Sequence, residues 1–311
     1  MLHPRLSIIV NFHNMGREAV RTLHTLSCRY QRGVAEDAYE VIAIDHGSSV
    51  PLDEAMVRSH GRNFRLVTHA PGTVPVSPAR ALNAAAADSA GDAVAVCIDG
   101  ARMLTPGIVR FMLAAVDGFV DPVVATLGWH LGPAVQNESM LAGYDQAAED
   151  RLLESIDWRR DGYELFKVSC LAASSAVGWF RPIAESNCLA LRRRTYERLG
   201  GFDERFGEAG GGLVALDFYR RACAAASDLV LLLGEGTFHQ FHGGVATNVP
   251  TDRHPYTRFH DEYIRLRGER FVPPSTRACY LGGVPPQCLP FLALSTERAL
   301  AEQRAAFGIG P

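Results

Sequence analysis

Two kinds of hydrophobic pattern alternate along the first hundred residues. Short unbroken apolar runs occupy 6–12 ("LSIIVNF"), 39–45 ("YEVIAID"), 64–69 ("FRLVTH") and 92–99 ("DAVAVCID"). Runs of this length, rich in β-branched side chains and without polar alternation, predict strands covered on both faces. Residues 16–30, 53–60 and 77–90 between them read as helices, the last Ala-rich with Ser77 placed as N-cap and Pro78 at the first helical position. A further helix follows from about 105, with Thr105 as its cap and Pro106 inside it. Strands alternating with helices imply a parallel sheet with helices on both faces, whose ligands bind at the carboxyl ends of the strands. Asn11-Phe12-His13, Asp45-His46-Gly47 and Asp99-Gly100 all fall at such ends, which predicts a polar cleft.

Beyond about residue 120 the pattern loosens. "VVATLGWHLG" reads as a strand, 145–157 as a helix, and 158–185 as irregular. "SNCLALRR" predicts a strand, "RTYERLGGF" and "ALDFYRRACAAA" predict helices, and "DLVLLLG" and "TFHQFHGG" follow. The tail from 250 is rich in Pro, Tyr and Arg. It includes the helical "YTRFHDEYIRLRGERF", with Tyr and Arg along one side, and closes on an amphipathic helix over 294–307. No internal repeat or low-complexity linker interrupts the chain.

Composition narrows the function classes. The 311 residues are 47% hydrophobic and 21% charged with a net charge of −3, which argues against a broad nucleic-acid footprint or a polybasic membrane surface. The arginine clusters at 192–194 and 220–221 read as solvated helix faces. Seven cysteines show no CxxC and no regular spacing, which favours a reducing compartment. The chain enters its first strand without a leader, and its apolar stretches fall short of the roughly 20 residues that span a bilayer. The expectation is a cytoplasmic protein with no transmembrane segment. No GxGxxG follows the first strand, so a Rossmann oxidoreductase has no support.

Four stretches, in order, resemble family 2 glycosyltransferases of the GT-A fold. They are "LSIIVNFHN" (6–14), "YEVIAIDHGSS" (39–49), "ARALNAAAADSAGDAVAVCIDGARMLTPG" (79–107) and "NCLALRRRTYERLGGFDERFGE" (187–208), and the resemblance covers roughly 5–245. It implies an α/β GT-A domain over 1–250 with a mostly parallel central sheet flanked by helices. Within it, 1–118 would form a nucleotide-binding half and 119–250 an acceptor-side half, with 251–311 a C-terminal extension packed on the domain. The implied activity moves a sugar from a nucleotide-diphosphate donor to a glycan, lipid-linked or small-molecule acceptor, in the manner of surface polysaccharide synthesis. Phe12 and His13 would lie against the nucleobase, or Phe12 in the core. Asp45 would bond the base or ribose, or cap its own turn through Gly47 and Ser48. His46 stands where the family carries a second acid. Arg80 would lie near the diphosphate or remain a surface charge.

The leaving diphosphate needs stabilising by a divalent cation or by fixed guanidinium or ammonium groups. Asp99 in "CIDGARM" matches the first acid of the family's DxD pattern, while Ala101 at the second acid's place has nothing to ligate with. His239 and His242 in "TFHQFHGG" are the candidates to complete a Mn²⁺ or Mg²⁺ site with Asp99, His239 the preferred of the two. Arg102 offers a second solution, a guanidinium facing the diphosphate without metal. The family's Glu-Asp pair for general-base work falls at Val214-Ala215, which leaves Glu208 and Asp217 as candidate acids. Trp179 and Glu185 lie where acceptor contacts are expected. The tail helix would cover the acceptor site or form a homodimer contact. The competing class is a GT-A domain that binds nucleotide or glycan without turnover, motivated by the lost second Asp and lost Glu-Asp pair.

Overall fold

The computed structural model describes residues 3–307. Its N-terminal part runs β1 (Leu6–Phe12), α1 (Gly16–Leu26), β2 (Tyr39–His46), α2 (Glu54–Arg58), β3 (Phe64–His69), α3 (Ala79–Ala87), β4 (Ala93–Cys97), β5 (Arg102–Leu104) and α4 (Ile108–Gly118). The remainder runs β6 (Pro122–Leu131), α5 (Gln136–Ser139), α6 (Gln146–Glu154), β7 (Ser169–Leu171), β8 (Leu189–Arg192), α7 (Arg193–Arg198) and α8 (Val214–Ala225). It ends with β9 (Asp228–His239), α9 (Tyr256–Arg267), β10 (Ala278–Gly282) and α10 (Leu289–Phe307). Among the described residues no helix is long and apolar enough to cross a membrane, and the seven cysteines are free.

All strands join one sheet in the order β10-β9-β6-β8-β4-β1-β2-β3, with β5 paired to β9 and β7 to β6 off that path. Along the path β8 alone runs against its neighbours, β4 and β6; every other pairing is parallel. β1 and β4 are buried at every position because helices cover both faces, which is why their sequences read as unbroken apolar runs. Two apolar clusters result. Ile9, Ile42, Ile44, Val94 and Val96 face one, and Ile8, Val10, Val41, Ala43 and Ala95 face the other.

Since β1, β2, β4, β6 and β9 run the same way, Phe12, His46, Cys97, Leu131 and His239 end on one rim of the sheet. The reversed β8 begins on that same rim. The two best-formed surface depressions, of about 290 Å³ beside Asp92 and Arg192–Arg194 and about 320 Å³ beside Arg5 and Asp117, involve residues at the opposite ends of the strands.

Three local expectations are corrected. Pro78, not Ser77, precedes α3, no side chain caps that helix, and Ser77 Oγ is buried without a partner. α4 likewise begins after Gly107, while Thr105 Oγ1 accepts from the Gly236 N–H at 3.0 Å. Arg192 and Arg193 are not a solvated face. Arg192 donates to the Val116 and Phe119 carbonyls at the end of α4, and Arg193 to the Ala86 carbonyl at the end of α3 and to the Gly91 carbonyl just before β4. Cations at helix C-termini satisfy the last, unpaired carbonyls.

Candidate active site

After β4 the chain leaves the sheet for four residues and returns as β5, which pairs antiparallel with the end of β9 in the register Arg102 to His239. The Gln240 N–H extends this ladder to the Ala101 carbonyl at 2.8 Å. The turn between is fixed from three sides. Gly100 N–H donates to the Asn11 carbonyl at 2.8 Å, Thr22 Oγ1 donates to the Gly100 carbonyl at 2.6 Å, and Leu104 N–H donates to Thr25 Oγ1 at 3.1 Å. Gly100 has no room for a side chain: a Cβ there would lie 2.4 Å from the Phe12 ring and 2.5 Å from the Asn11 carbonyl. This tethering holds Asp99 on the rim. Ala101, at the second acid's place, is wholly buried in the apolar cluster with Phe12 and Leu104.

Asp99 Oδ2 lies 3.0 Å from His239 Nε2, and Oδ1 lies 3.7 Å from His242 Nε2. The two Nε2 atoms are 3.2 Å apart, so both histidines reach the carboxylate. Their spacing of three works because His239 ends the strand and the chain turns immediately afterwards. Together the three residues form a group able to hold a metal ion. Ligand bonds of about 2.0–2.2 Å set neighbouring donors roughly 3 Å apart, close to the spacing found here.

The protonation states suit a cation. Burial opposes ionisation of Asp99, but the facing imidazoles of His239 and His242, in their protonated forms, and the Arg102 guanidinium outweigh it and hold its carboxyl well below the usual range. Burial pushes the His239 imidazole down to about 4 against the pull of Asp99, so it is neutral at pH 7. His239 Nδ1 lies 2.8 Å from Gln136 Oε1, which also accepts from Asn248 Nδ2 at 2.8 Å. With Nδ1–H committed as a donor, His239 turns the bare lone pair of Nε2 toward Asp99. Two lone pairs facing one another at 3.0 Å repel unless a positive centre lies between them. His130, its ring tilted 32° to that of His239 with centroids 5.1 Å apart, is held neutral by burial as well.

Arg102 supplies the other charge. Its side chain is 5% exposed and Nη2 lies 3.4 Å from Asp99 Oδ2, while Nε and Nη1 are buried with no partner among the described residues. An unpaired buried N–H costs about 1–3 kcal/mol, more on a charged group, so these two donors call for an acceptor. A Cβ on Gly128 would sit 3.7 Å from Arg102 Nη1 and 3.8 Å from Asn187 Nδ2, which puts the guanidinium beside β6 and the entry to β8. Phosphate oxygens match such a planar fork of donors.

The other sequence candidates scatter. Phe12 is wholly buried against Gly100, while His13 is exposed at the end of β1 with Nδ1 2.8 Å from the His46 carbonyl. Asp45 is buried, its oxygens accepting from the Ser48 and Leu52 N–H groups at 2.9 and 2.6 Å, which holds the turn after β2. Arg80 is exposed on the first turn of α3. Trp179 is fully enclosed in the core, with Nε1–H donating to the Leu232 carbonyl at 2.9 Å. Asp217 is buried and accepts from Arg221 at 2.8 Å and twice from Arg267 at 2.7 Å, which ties α8 to α9. Glu208 pairs with Arg258 at 2.6 Å. Glu185 is half-buried and, among the described residues, has no arginine partner.

Sequence patterns do not single out Gln136, Asn248 or Thr247, whose Oγ1 lies 3.3 Å from His239 Nε2. Asn248 Oδ1 accepts from three successive N–H groups, of His242, Gly243 and Gly244, at 3.0–3.1 Å, and folds the segment after β9 back over the histidines. Asn137 Nδ2 holds the same segment through the Ala246 and Val249 carbonyls. The available signal was the Asn a few residues beyond "HGG", since Asn side chains close tight turns by binding backbone N–H groups. Gln136 carried no such signal.

No family model and no curated protein matches the sequence. Solved structures do resemble the fold. GalNAc-T7 with UDP, GalNAc and Mn²⁺ aligns over 85% of this chain and 48% of its own at 14% identity and a TM-score of 0.53. Staphylococcus aureus TarS 1-349 aligns over 76% and 60% at 14% identity with a TM-score of 0.49. The mannosyltransferase PcManGT from Pyrobaculum calidifontis, in complex with GDP-Man and Mn²⁺, aligns over 99% and 76% at 18% identity with a TM-score of 0.45. The chain therefore spans about half the length of GalNAc-T7 and 60% of the TarS fragment. At such identities the likeness speaks to architecture alone: the chain has the GT-A fold, a mostly parallel sheet with one reversed strand and a polar rim at the strand ends.

Proposed function

We propose that the protein transfers a sugar from a nucleoside-diphosphate sugar to a hydroxyl acceptor. In this reading Asp99, His239 and His242 hold a divalent cation, and Arg102 receives the diphosphate on Nε and Nη1. The supporting observation is one juxtaposition: a carboxylate with two imidazoles beside a buried guanidinium that, among the described residues, has two unpaired donor atoms. Two imidazoles and a carboxylate suit Mn²⁺ better than Mg²⁺, and accept Fe²⁺ and Zn²⁺ as well. When bound, the ion would neutralise charge that develops on the leaving diphosphate. GalNAc-T7, described with Mn²⁺, has the same fold class and supports that assignment.

The nucleoside would lie along the ends of β1 and β2, where Phe12 backs the rim, His13 is exposed and Asp45 holds the turn, with Arg80 at the near end of α3. On the acceptor side Glu185, two residues before Asn187, is the one of the three candidate acids Glu185, Glu208 and Asp217 without an arginine partner among the described residues. Trp179 would act only by supporting that wall from the core. Glycans, lipid-linked saccharides and small hydroxylated molecules are the acceptor classes in view, and surface polysaccharide synthesis the process.

One observation favours a second reading, nucleotide or glycan binding without turnover: Asp217 and Glu208 are both occupied by arginines. Thermal-shift titrations with UDP, GDP and dTDP, with and without Mn²⁺, test both. The expected result is a nucleotide shift that Mn²⁺ enlarges and Asp99→Ala abolishes. No response to any nucleotide refutes both readings. Binding with no donor hydrolysis or transfer, unchanged in Glu185→Gln, selects the second.

A further inference from the structure

Between the histidines and the rest of the fold lies a polar layer that touches no bound group itself. Gln136 begins α5, five residues beyond Leu131 at the end of β6, and is fully buried. Its amide orientation is fixed by four contacts. Nε2 donates to the His239 carbonyl at 3.0 Å and to the Leu131 carbonyl at 3.3 Å, so Oε1 is the acceptor that meets His239 Nδ1 and Asn248 Nδ2. Asn248 is oriented with equal certainty, because Oδ1 accepts from three backbone N–H groups and leaves Nδ2 to donate. One Gln oxygen thus joins the imidazole at the end of β9 to the loop that carries His242.

We infer that Gln136 and Asn248 are positioning residues. Gln136 fixes His239 as the Nδ1–H tautomer with Nε2 bare toward Asp99, and Asn248 sets the loop so that His242 Nε2 arrives 3.2 Å from it. The inference rests on the cation reading of the Asp99 site. A neutral imidazole has one lone pair, and the hydrogen bond made by its other nitrogen decides where that lone pair points. Partners of this kind govern ligand orientation, and their loss costs about 10–100-fold in metal affinity.

The test separates the acceptor oxygen from the amide as a packing group. Gln136→Leu removes every contact. Gln136→Glu keeps an acceptor for His239 Nδ1–H and loses both donor contacts to the Leu131 and His239 carbonyls. Imidazole ¹⁵N spectra of the metal-free full chain report the tautomer, and Mn²⁺ titration followed by electron paramagnetic resonance reports affinity. The expected outcome is Nδ1–H in the wild type and in Gln136→Glu, with Mn²⁺ affinity in that variant within about threefold of wild type. Gln136→Leu is expected to lose the Nδ1–H tautomer and to bind Mn²⁺ about 10–100-fold more weakly. Asn248→Ala should lose a comparable factor while keeping the His239 tautomer. A wild-type His239 protonated on Nε2, or a Gln136→Glu protein as impaired as Gln136→Leu, overturns the inference. A wild type that binds no Mn²⁺ refutes the cation reading instead, and the metal-free spectra still decide whether Gln136 sets the tautomer.

Discussion

The two halves of the Asp99 site are held in place by different means. The Ile98–Leu104 side is tied by backbone hydrogen bonds and by threonines of α1, with a glycine pressed on an aromatic ring and an alanine in the core. The His239–Asn248 side is held largely by side chains. Asn248 and Asn137 grip the loop, and Glu149 accepts from the Phe241 N–H at 2.7 Å. The first half is continuous with the fold, so changing it changes stability. The second is an appendage of β9 whose shape depends on a few amides, so it can lose function while the fold stands.

The sharpest break in this contrast comes from placing a second acid two residues after Asp99. Ala101→Asp would put a carboxylate into the apolar cluster at a fully buried position. We expect a loss of about 4 kcal/mol or more, seen in chemical denaturation as a collapse of the folded fraction. A stable variant with tighter Mn²⁺ binding would mean that position 101 faces the rim. Gly100→Ala should cost about 1–3 kcal/mol, because its Cβ would overlap the Phe12 ring and the Asn11 carbonyl. An unchanged melting temperature there would remove the argument that the turn belongs to the core.

Substitutions in the loop should reverse the pattern. A Cβ on Gly244 would lie 2.9 Å from His242 Nε2 and 2.5 Å from Thr247 Oγ1, side chains that can move aside. Gly244→Ala is therefore expected to weaken Mn²⁺ binding about tenfold while stability shifts by less than about 1 kcal/mol. Equal losses in both would show the two halves to be one unit. The smallest effect concerns Glu149, whose carboxyl burial raises from 4.5 to about 7 despite Arg17 and Arg21. A raised acid binds its proton more tightly in the fold, so its contribution is present at low pH and declines as pH climbs from about 4.5 through 7. Glu149→Gln should flatten melting temperature against pH over that window, and a profile parallel to wild type would assign the slope to other groups.

Much of the architecture was readable because burial on both faces leaves an unmistakable trace. β1 to β4 appear in the sequence as apolar runs with the observed boundaries to within two residues. β5 and β7 were not readable, since three residues carry no periodicity and owe their conformation to the strand they pair with. β9 was split in two by "GEG", whereas a bulge opposite Ala125–Leu127 lets one strand run through. The candidate site divides likewise. Asp99 and the histidines are residue types whose chemistry announces itself, and their convergence depends on the Arg102–His239 register, which no local pattern encodes. Ser77 and Thr105 looked like helix caps because cap preference is local, but neither side chain caps its helix. Gln136 stayed hidden because an amide in an irregular segment looks like any other loop residue, and Asn248 gave only the turn signal of an Asn beyond "HGG".

The pairing of β5 with β9 also bears on how the chain is assembled. Asp99 and His239 are 140 residues apart in the sequence, and the ladder between their strands closes nearly the whole sheet. A growing chain that has emerged only as far as β8 holds one carboxylate and one arginine but no imidazole partner, so it has no preformed place for a cation. A cation that binds only after β9 docks stabilises the finished fold over every earlier intermediate, by an amount that rises with the logarithm of its concentration. In the cation reading proposed above, its binding would be a chemical signal of completed long-range closure, and metal supply would act on the yield of folded molecules.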